Sequence, residues 1–109
     1  MAEALPTVAV VVPVRDGEAT IRTCVEALLA LDYPAPEIVV VDNRSRDRTR
    51  AVVGEYPVRL LEERAMQSSY AARNAGIAAT RSELVAFTDA DCVPDPGWLR
   101  ALVAPFPGR

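Results

Sequence analysis

The chain has 109 residues, half of them hydrophobic and a quarter charged, with a formal net charge of −3. That suits one domain with a buried core, excludes a disordered tail, and gives no support to a nucleic-acid partner. Every cation is an arginine and there is no histidine, which excludes lysine Schiff bases, a phosphate-loop lysine, Ser–His or Cys–His nucleophiles and a His-containing zinc site within these residues.

Thr7 to Val14, "TVAVVVPV", is a continuous β-branched run. Such a run suits a strand covered on both faces, as in a parallel sheet. "RDGE" turns the chain, and Ile21, Cys24, Val25, Leu28 and Leu29 then form the apolar stripe of a helix over Thr20 to Leu31. "DYPAP" stops it. "EIVVVD", Glu37 to Asp42, predicts a second buried strand, and "NRSRDRTR" a polar turn into a short helix ending near Glu55. Val58 to Glu62 is a third strand. Ser68 to Thr80 is an alanine-rich helix with Ser68 or Ser69 as its N-cap. Glu83 to Asp89 is a fourth strand, and "DPGWLRALVAPF" a last helix with Trp98, Leu99, Leu102 and Val103 on its apolar face.

This alternation predicts an α/β fold of Rossmann-like type, three layers αβα around a mostly parallel sheet. Right-handed crossovers favour the strand order 3-2-1-4, with a switch point between the first and fourth strands. Ligands of such sheets bind at the carboxyl ends of the strands beside the switch point. The ends of the first, second and fourth strands carry Asp16, Asp42 and the pair Asp89 and Asp91. The N-terminus has neither a basic leader region nor an apolar run long enough to span a bilayer. Cys24 and Cys92 lack metal-binding or redox spacing and read as reduced thiols. The expected location is cytoplasmic, or at the cytoplasmic membrane face within a longer parent.

Asp89 and Asp91 offer oxygen ligands only, which suits a hard cation, Mg2+ or Mn2+, completed by substrate phosphates. The alternative is a solvated acidic turn in which Asp89 caps the following loop. Asp42 is placed to accept from a base imide or ribose hydroxyl, or to start an Asx turn in "DNRS". The arginines at 44, 46, 48 and 50 surround Asp47 and read as a solvated face. Arg73 lies mid-helix beside Asn74. It either pairs with a crevice carboxylate or a phosphate, or is simply exposed. Gly76 would let that helix approach the sheet, and Trp98 reads as core.

Taken together, "VVVPVRDGEATIRTCVEALLALDYP", "EIVVVDNRSRDRT" and "YAARNAGIAATRSELVAFTDADCVPDPGWL" resemble, in order and spacing, the N-terminal nucleotide-binding half of a family 2 glycosyltransferase with the GT-A fold. The resemblance implies transfer of a sugar from a nucleotide-diphosphate donor to an acceptor hydroxyl, with inversion at the anomeric carbon. The acceptor could be a saccharide, lipid or protein. It implies that Asp42 recognises the base, that Asp89 lies near ribose and metal, and that Asp91 binds the cation bridging the diphosphate. Pro13, Val14, Arg15, Asp16 and Glu18 would line the nucleotide pocket. Arg73, with Asn74 beside it, would sit near the diphosphate or brace the acidic cluster. Arg15 and Asp16 stand where the family often has an aromatic residue followed by Asn. Residues 1–109 would be the donor half of a partial GT-A fold without its acceptor half. The general base would then lie outside these residues, and no catalytic residue is named.

Two other functions are compatible with parts of the sequence. "DADCV" matches the DxDx[TV] nucleophile strand of haloacid-dehalogenase-type phosphatases, but those open with the motif and need a lysine. A partial GT-A fold could instead be a non-catalytic nucleotide-binding or self-associating module, forming a homo-oligomer through an exposed edge or apolar face.

Overall fold

In the computed structural model, residues 5–106 are described. Four strands alternate with four helices: β1 (Val8–Val14), α1 (Ile21–Leu29), β2 (Glu37–Asp42), α2 (Thr49–Val53), β3 (Arg59–Glu62), α3 (Ser69–Ala79), β4 (Leu84–Phe87) and α4 (Trp98–Val103). The strands form one parallel sheet in the order β3-β2-β1-β4, as the alternation predicts. All seven residues of β1 are buried, because a central strand has helices on both faces. Each such valine contributes about 1.5–3 kcal/mol through burial.

The two faces sort by residue parity. Val8, Val10, Val12, Ile38, Val40, Leu60, Leu84 and Ala86 belong to the larger core, with Ile21, Val25 and Leu28 of α1, Val53 of α2 and Leu99 of α4. The odd-numbered Val11, Val39, Val41, Leu61 and Val85 belong to a thinner core under α3, with Ala72 and Ala75. Trp98 packs half-buried against the larger core. The thin layer depends on Gly76: a Cβ there would stand 2.4 Å from Val11 Cγ1, so only glycine lets α3 lie this close to β1.

Ser68 caps α3, its Oγ accepting from Ala71 N at 2.9 Å. Ser45 N donates to Asp42 Oδ2 at 3.2 Å, which closes the turn after β2. Helix α4 starts at Trp98 rather than Pro96, because Asp95 accepts from Gly97 N and Trp98 N and forms its own turn first. Among the described residues, no helix is long and apolar enough to cross a membrane.

Candidate nucleotide and metal site

A groove of about 290 Å³ opens at the carboxyl ends of β1 and β2 on the α3 side. It is lined by Pro13, Val14 and Arg15 after β1, Asn43 after β2, Gln67, Ser68, Ser69, Ala72 and Arg73 at the start of α3, and Asp89 after β4. It therefore lies at the switch point between β1 and β4, where the topology places ligands.

The walls carry opposite charge. One is the N-terminal turn of α3, an 11-residue helix whose backbone dipoles present positive charge, reinforced by the half-buried Arg73. Arg15 reaches across from β1. With the Gln67 amide turned so that its oxygen faces the guanidinium, Gln67 accepts from Arg15 Nη1 at 2.6 Å and Nη2 at 2.9 Å. The opposite wall ends in Asp89, and Asp91 and Cys92 follow. Single ligand atoms of these three exposed residues lie within 4.8 Å of one another. Two carboxylates on the surface, reached without burial, match the donor set of Mg2+ or Mn2+, which keep water and phosphate ligands.

The acidic loop is held from below. Asp89 O accepts from Cys92 N at 3.0 Å and from the buried Cys24 Sγ at 3.6 Å. Burial pushes the Cys24 thiol up to about 11, with Cys92, Asp91 and Asp89 adding to the shift. Cys24 is thus a protonated donor that ties α1 to the acidic loop.

Four residues expected at the nucleotide pocket do not line this groove. Asp42 is even-numbered like Val40 and Ile38, so its side chain shares their face and not that of α3. It is buried there, with Oδ2 accepting from Ser45 N and from Arg50 Nη1 at 3.1 Å, and its Oδ1 is buried without a partner. Arg50, expected in a solvated face, is half-buried by this pair, while Arg44, Arg46 and Arg48 are exposed. Asp16 and Glu18 spend their carboxylates on the neighbouring loop, accepting from Arg46 N at 2.7 Å and Arg48 N at 3.2 Å. Asp16 N and Glu18 N donate back to Ser45 Oγ and Asp47 Oδ2, and Gly17 N donates to Thr49 Oγ1 at 2.9 Å. Asn74 is exposed on α3, turned away from the Ala72 and Arg73 side.

Asn43 takes the place at the groove that Asp42 was expected to hold. It is odd-numbered, hence on the α3 face, and 3% exposed. Gln67, Ser68, Ser69 and Ala72 also enter the groove unforeseen. The serine N-cap signal marks that helix start in the sequence, and the parity of β2 marks Asn43.

The Glycosyl transferase family 2 model matches residues 9–108. Glycosyltransferase AglE of Haloferax volcanii is 36% identical over 99% of this chain and 38% of its own length. Among solved structures, S. aureus TarS 1–349 in complex with UDP-GlcNAc superposes with a TM-score of 0.77 and 28% identity, over 90% of this chain and 30% of that one. Glucosyl-3-phosphoglycerate synthase from Mycobacterium tuberculosis, in complex with Mn2+, uridine-diphosphate and phosphoglyceric acid, gives a TM-score of 0.80 and 27% identity over 92% of this chain and 38% of that one. The chain thus spans well under half the length of these proteins.

Proposed function

Because the chain belongs to glycosyl transferase family 2 and has the sheet of a GT-A glycosyltransferase, we propose that its groove binds the nucleoside diphosphate of a sugar donor with a divalent cation at Asp89 and Asp91, for inverting transfer of the sugar to an acceptor hydroxyl. The observation that carries this reading is the charge arrangement of one cleft. Arg73 and the α3 N-terminus face the groove that Asp89 closes, and Asp91 stands beside Asp89. An anion alone would be repelled by the carboxylates, and a cation alone by the arginines. A metal-bound diphosphate satisfies both.

In this reading Arg73 and the first backbone N–H groups of α3 hold phosphate oxygens. Asp89 and Asp91 hold Mg2+ or Mn2+, which as a Lewis acid offsets the charge that gathers on the departing diphosphate. Pro13 to Arg15 and Asn43 line the nucleoside end. Asp42, Asp16 and Glu18 act one step back, fixing the loops that carry those residues. The carboxylates of the cleft serve as metal and loop ligands, and residues 5–106 are assigned no general base. Acceptor recognition is likewise assigned to none of them. Free thiols at Cys24 and Cys92 favour a reducing compartment such as the cytoplasm.

The test is isothermal calorimetry with UDP, GDP and dTDP, with and without Mn2+. Binding of at least one, dependent on Mn2+ and lost in Asp91→Ala, supports the proposal. Absence of binding, or binding indifferent to Asp91→Ala, removes it.

A second reading, self-association, rests on a different observation. An apolar groove of about 450 Å³, lined among others by Leu84, Ala86, Phe87, Trp98, Leu102 and Phe106, runs along β4 at the open edge of the sheet. Sedimentation of a strict monomer at high micromolar concentration would dismiss it.

A further inference from the structure

We propose that Cys92 is a third protein ligand of the cation site and extends its range from Mg2+ and Mn2+ to the thiophilic ions Co2+, Zn2+ and Cd2+; this rests on the reading of Asp89 and Asp91 as that site. The chain has two cysteines, and they are placed oppositely. Cys24 is fully buried on α1, where it serves as a small apolar side chain. Cys92 is exposed, although cysteine is among the residues most often found inside. Packing therefore gives no reason for sulfur at position 92.

The ligand atoms converge. One carboxylate oxygen each from Asp89 and Asp91 and the Cys92 sulfur lie within 4.8 Å of one another, and among the described residues no other three acidic or cysteine side chains come together in this way. Cys92 Sγ stands 3.8 Å from Asp91 Oδ1 and donates its proton to it. Sulfur and oxygen sharing one tetrahedral ion, at bond lengths of about 2.3 and 2.1 Å, stand about 3.6 Å apart. Thiol and carboxylate are thus already near the spacing that a shared ion imposes. The ion takes the place of the proton between them, which leaves to solvent as the metal–sulfur bond forms. The backbone prepares this arrangement. Cys92 N donates to Asp89 O at 3.0 Å, closing a four-residue turn that brings residue 92 back towards residue 89. Cys24 Sγ donates to the same carbonyl at 3.6 Å and holds the turn to α1.

A thiolate beside two carboxylates changes which ions the site prefers. Mg2+ takes oxygen ligands and gains nothing from sulfur, whereas Zn2+, Co2+ and Cd2+ bind thiolate well. The two classes of ion are then held differently. Mg2+ and Mn2+ find two carboxylates and need diphosphate oxygens to complete their shell, so they enter with the nucleotide. A thiophilic ion finds three protein ligands and is held before any nucleotide arrives.

The test titrates the reduced 109-residue chain with Co2+ in the absence of nucleotide. It reads the near-ultraviolet charge-transfer band from thiolate to cobalt, which oxygen ligands do not give. Stoichiometric Co2+ should produce the band, Zn2+ should abolish it by displacement, and a large excess of Mg2+ should not. Cys92→Ser should lose the band and weaken Zn2+ binding about ten-fold or more, while weakening Mn2+ binding with UDP present by much less. The ratio of Zn2+ to Mn2+ affinity within one variant is insensitive to partial unfolding. Asp91→Asn should weaken Co2+ binding, which separates a shared site from a thiol acting alone, and Cys24→Ala should keep the band. Absence of the band in the wild type, a band that survives Cys92→Ser, or Co2+ affinity indifferent to Asp91→Asn overturns the assignment to Cys92. If Mn2+-dependent nucleotide binding persists in that case, the donor site stands. Loss of both Co2+ binding and Mn2+-dependent nucleotide binding overturns both.

Discussion

Substituting Gly76 by alanine should destabilise the protein, although alanine is the better helix former. A Cβ at position 76 would lie 2.4 Å from Val11 Cγ1, 3.0 Å from Val11 Cγ2 and 3.3 Å from Val11 Cβ. Carbon atoms in contact prefer about 3.5–4.0 Å, so roughly 1 Å must open between α3 and β1. Val11 is fully buried in a central strand and cannot yield by rotating into solvent. Overpacking of this kind costs about 1–3 kcal/mol. Alanine returns about 0.8–1.0 kcal/mol of helix propensity. With three contacts to one buried side chain, the closest at 2.4 Å, the overpacking cost falls in the upper half of that range, so the net loss is about 1–2 kcal/mol, or about 4–16 °C of melting temperature for a domain of this size. Urea unfolding followed by circular dichroism measures it. A second change, Val11→Ala, makes the space that the new methyl needs. The double variant should then be more stable than the sum of the singles by about 1 kcal/mol, in the range of contacting pairs. Because Ala72 and Arg73 lie one turn earlier on α3 and line the groove, Gly76→Ala should also weaken nucleotide binding. A variant as stable as the wild type, or strict additivity with Val11→Ala, would refute the close-approach argument.

A thiol reagent at pH 8 should modify one cysteine per native chain, the exposed Cys92, and two after unfolding, because Cys24 is buried with its thiol pushed up to about 11; mass spectrometry of the labelled peptides distinguishes them. Mn2+ with a nucleoside diphosphate should slow labelling of Cys92, which stands beside Asp91. Replacing Arg50 by methionine should cost about 1–3 kcal/mol in urea unfolding. It strips the buried Asp42 of its charged partner, but Arg50 is 39% exposed, so the loss is less than for a fully buried pair. The exposed Arg48→Met should change stability by less than about 0.5 kcal/mol. Burial alone would raise the Asp47 carboxyl, but hydrogen bonds from the Thr49 hydroxyl, Thr49 N and Glu18 N hold it below its ordinary 3.8. A depressed carboxylate stabilises the fold above its unfolded value and loses that contribution as pH falls through the folded one. The stability gap between wild type and Asp47→Ala should therefore be full at neutral pH and narrow below pH 3.8.

The strands, their order and the crevice at the switch point are legible in the sequence, because continuous β-branched runs and capped amphipathic runs leave few alternatives. Which face a strand-end residue shares is not. In "EIVVVD" both faces are buried, so hydrophobicity does not alternate and gives no phase. The phase comes from cross-strand register: Val39 beside Val11 and Val11 beside Phe87 set the α3 face to odd numbers. Asp42 then falls on the other side, and Asn43 takes the groove. The roles of Asp16 and Glu18 are illegible for another reason. Their partners lie about 30 residues away, Arg46 and Arg48 by backbone N–H only, and a backbone donor leaves no residue signature. Arg50 reads as one more solvated arginine until the turn after β2 brings it to Asp42. The α3 N-terminus, by contrast, is legible in its serine cap, while its place in the groove follows only from the sheet order.

The two loops that follow β1 and β2 are laced together by five hydrogen bonds between residues 16–18 and 45–49. Both Asp16 and Arg44 hold left-handed φ values, 51° and 65°, a region that costs most non-glycine residues about 1–2 kcal/mol and that aspartate enters more readily than arginine. The pair therefore behaves as one cassette. Transplanting either loop alone from a relative would strand backbone donors on one side and carboxylates on the other. A graft of both together keeps the lacing, so in this scaffold the two loops can be exchanged only as a unit.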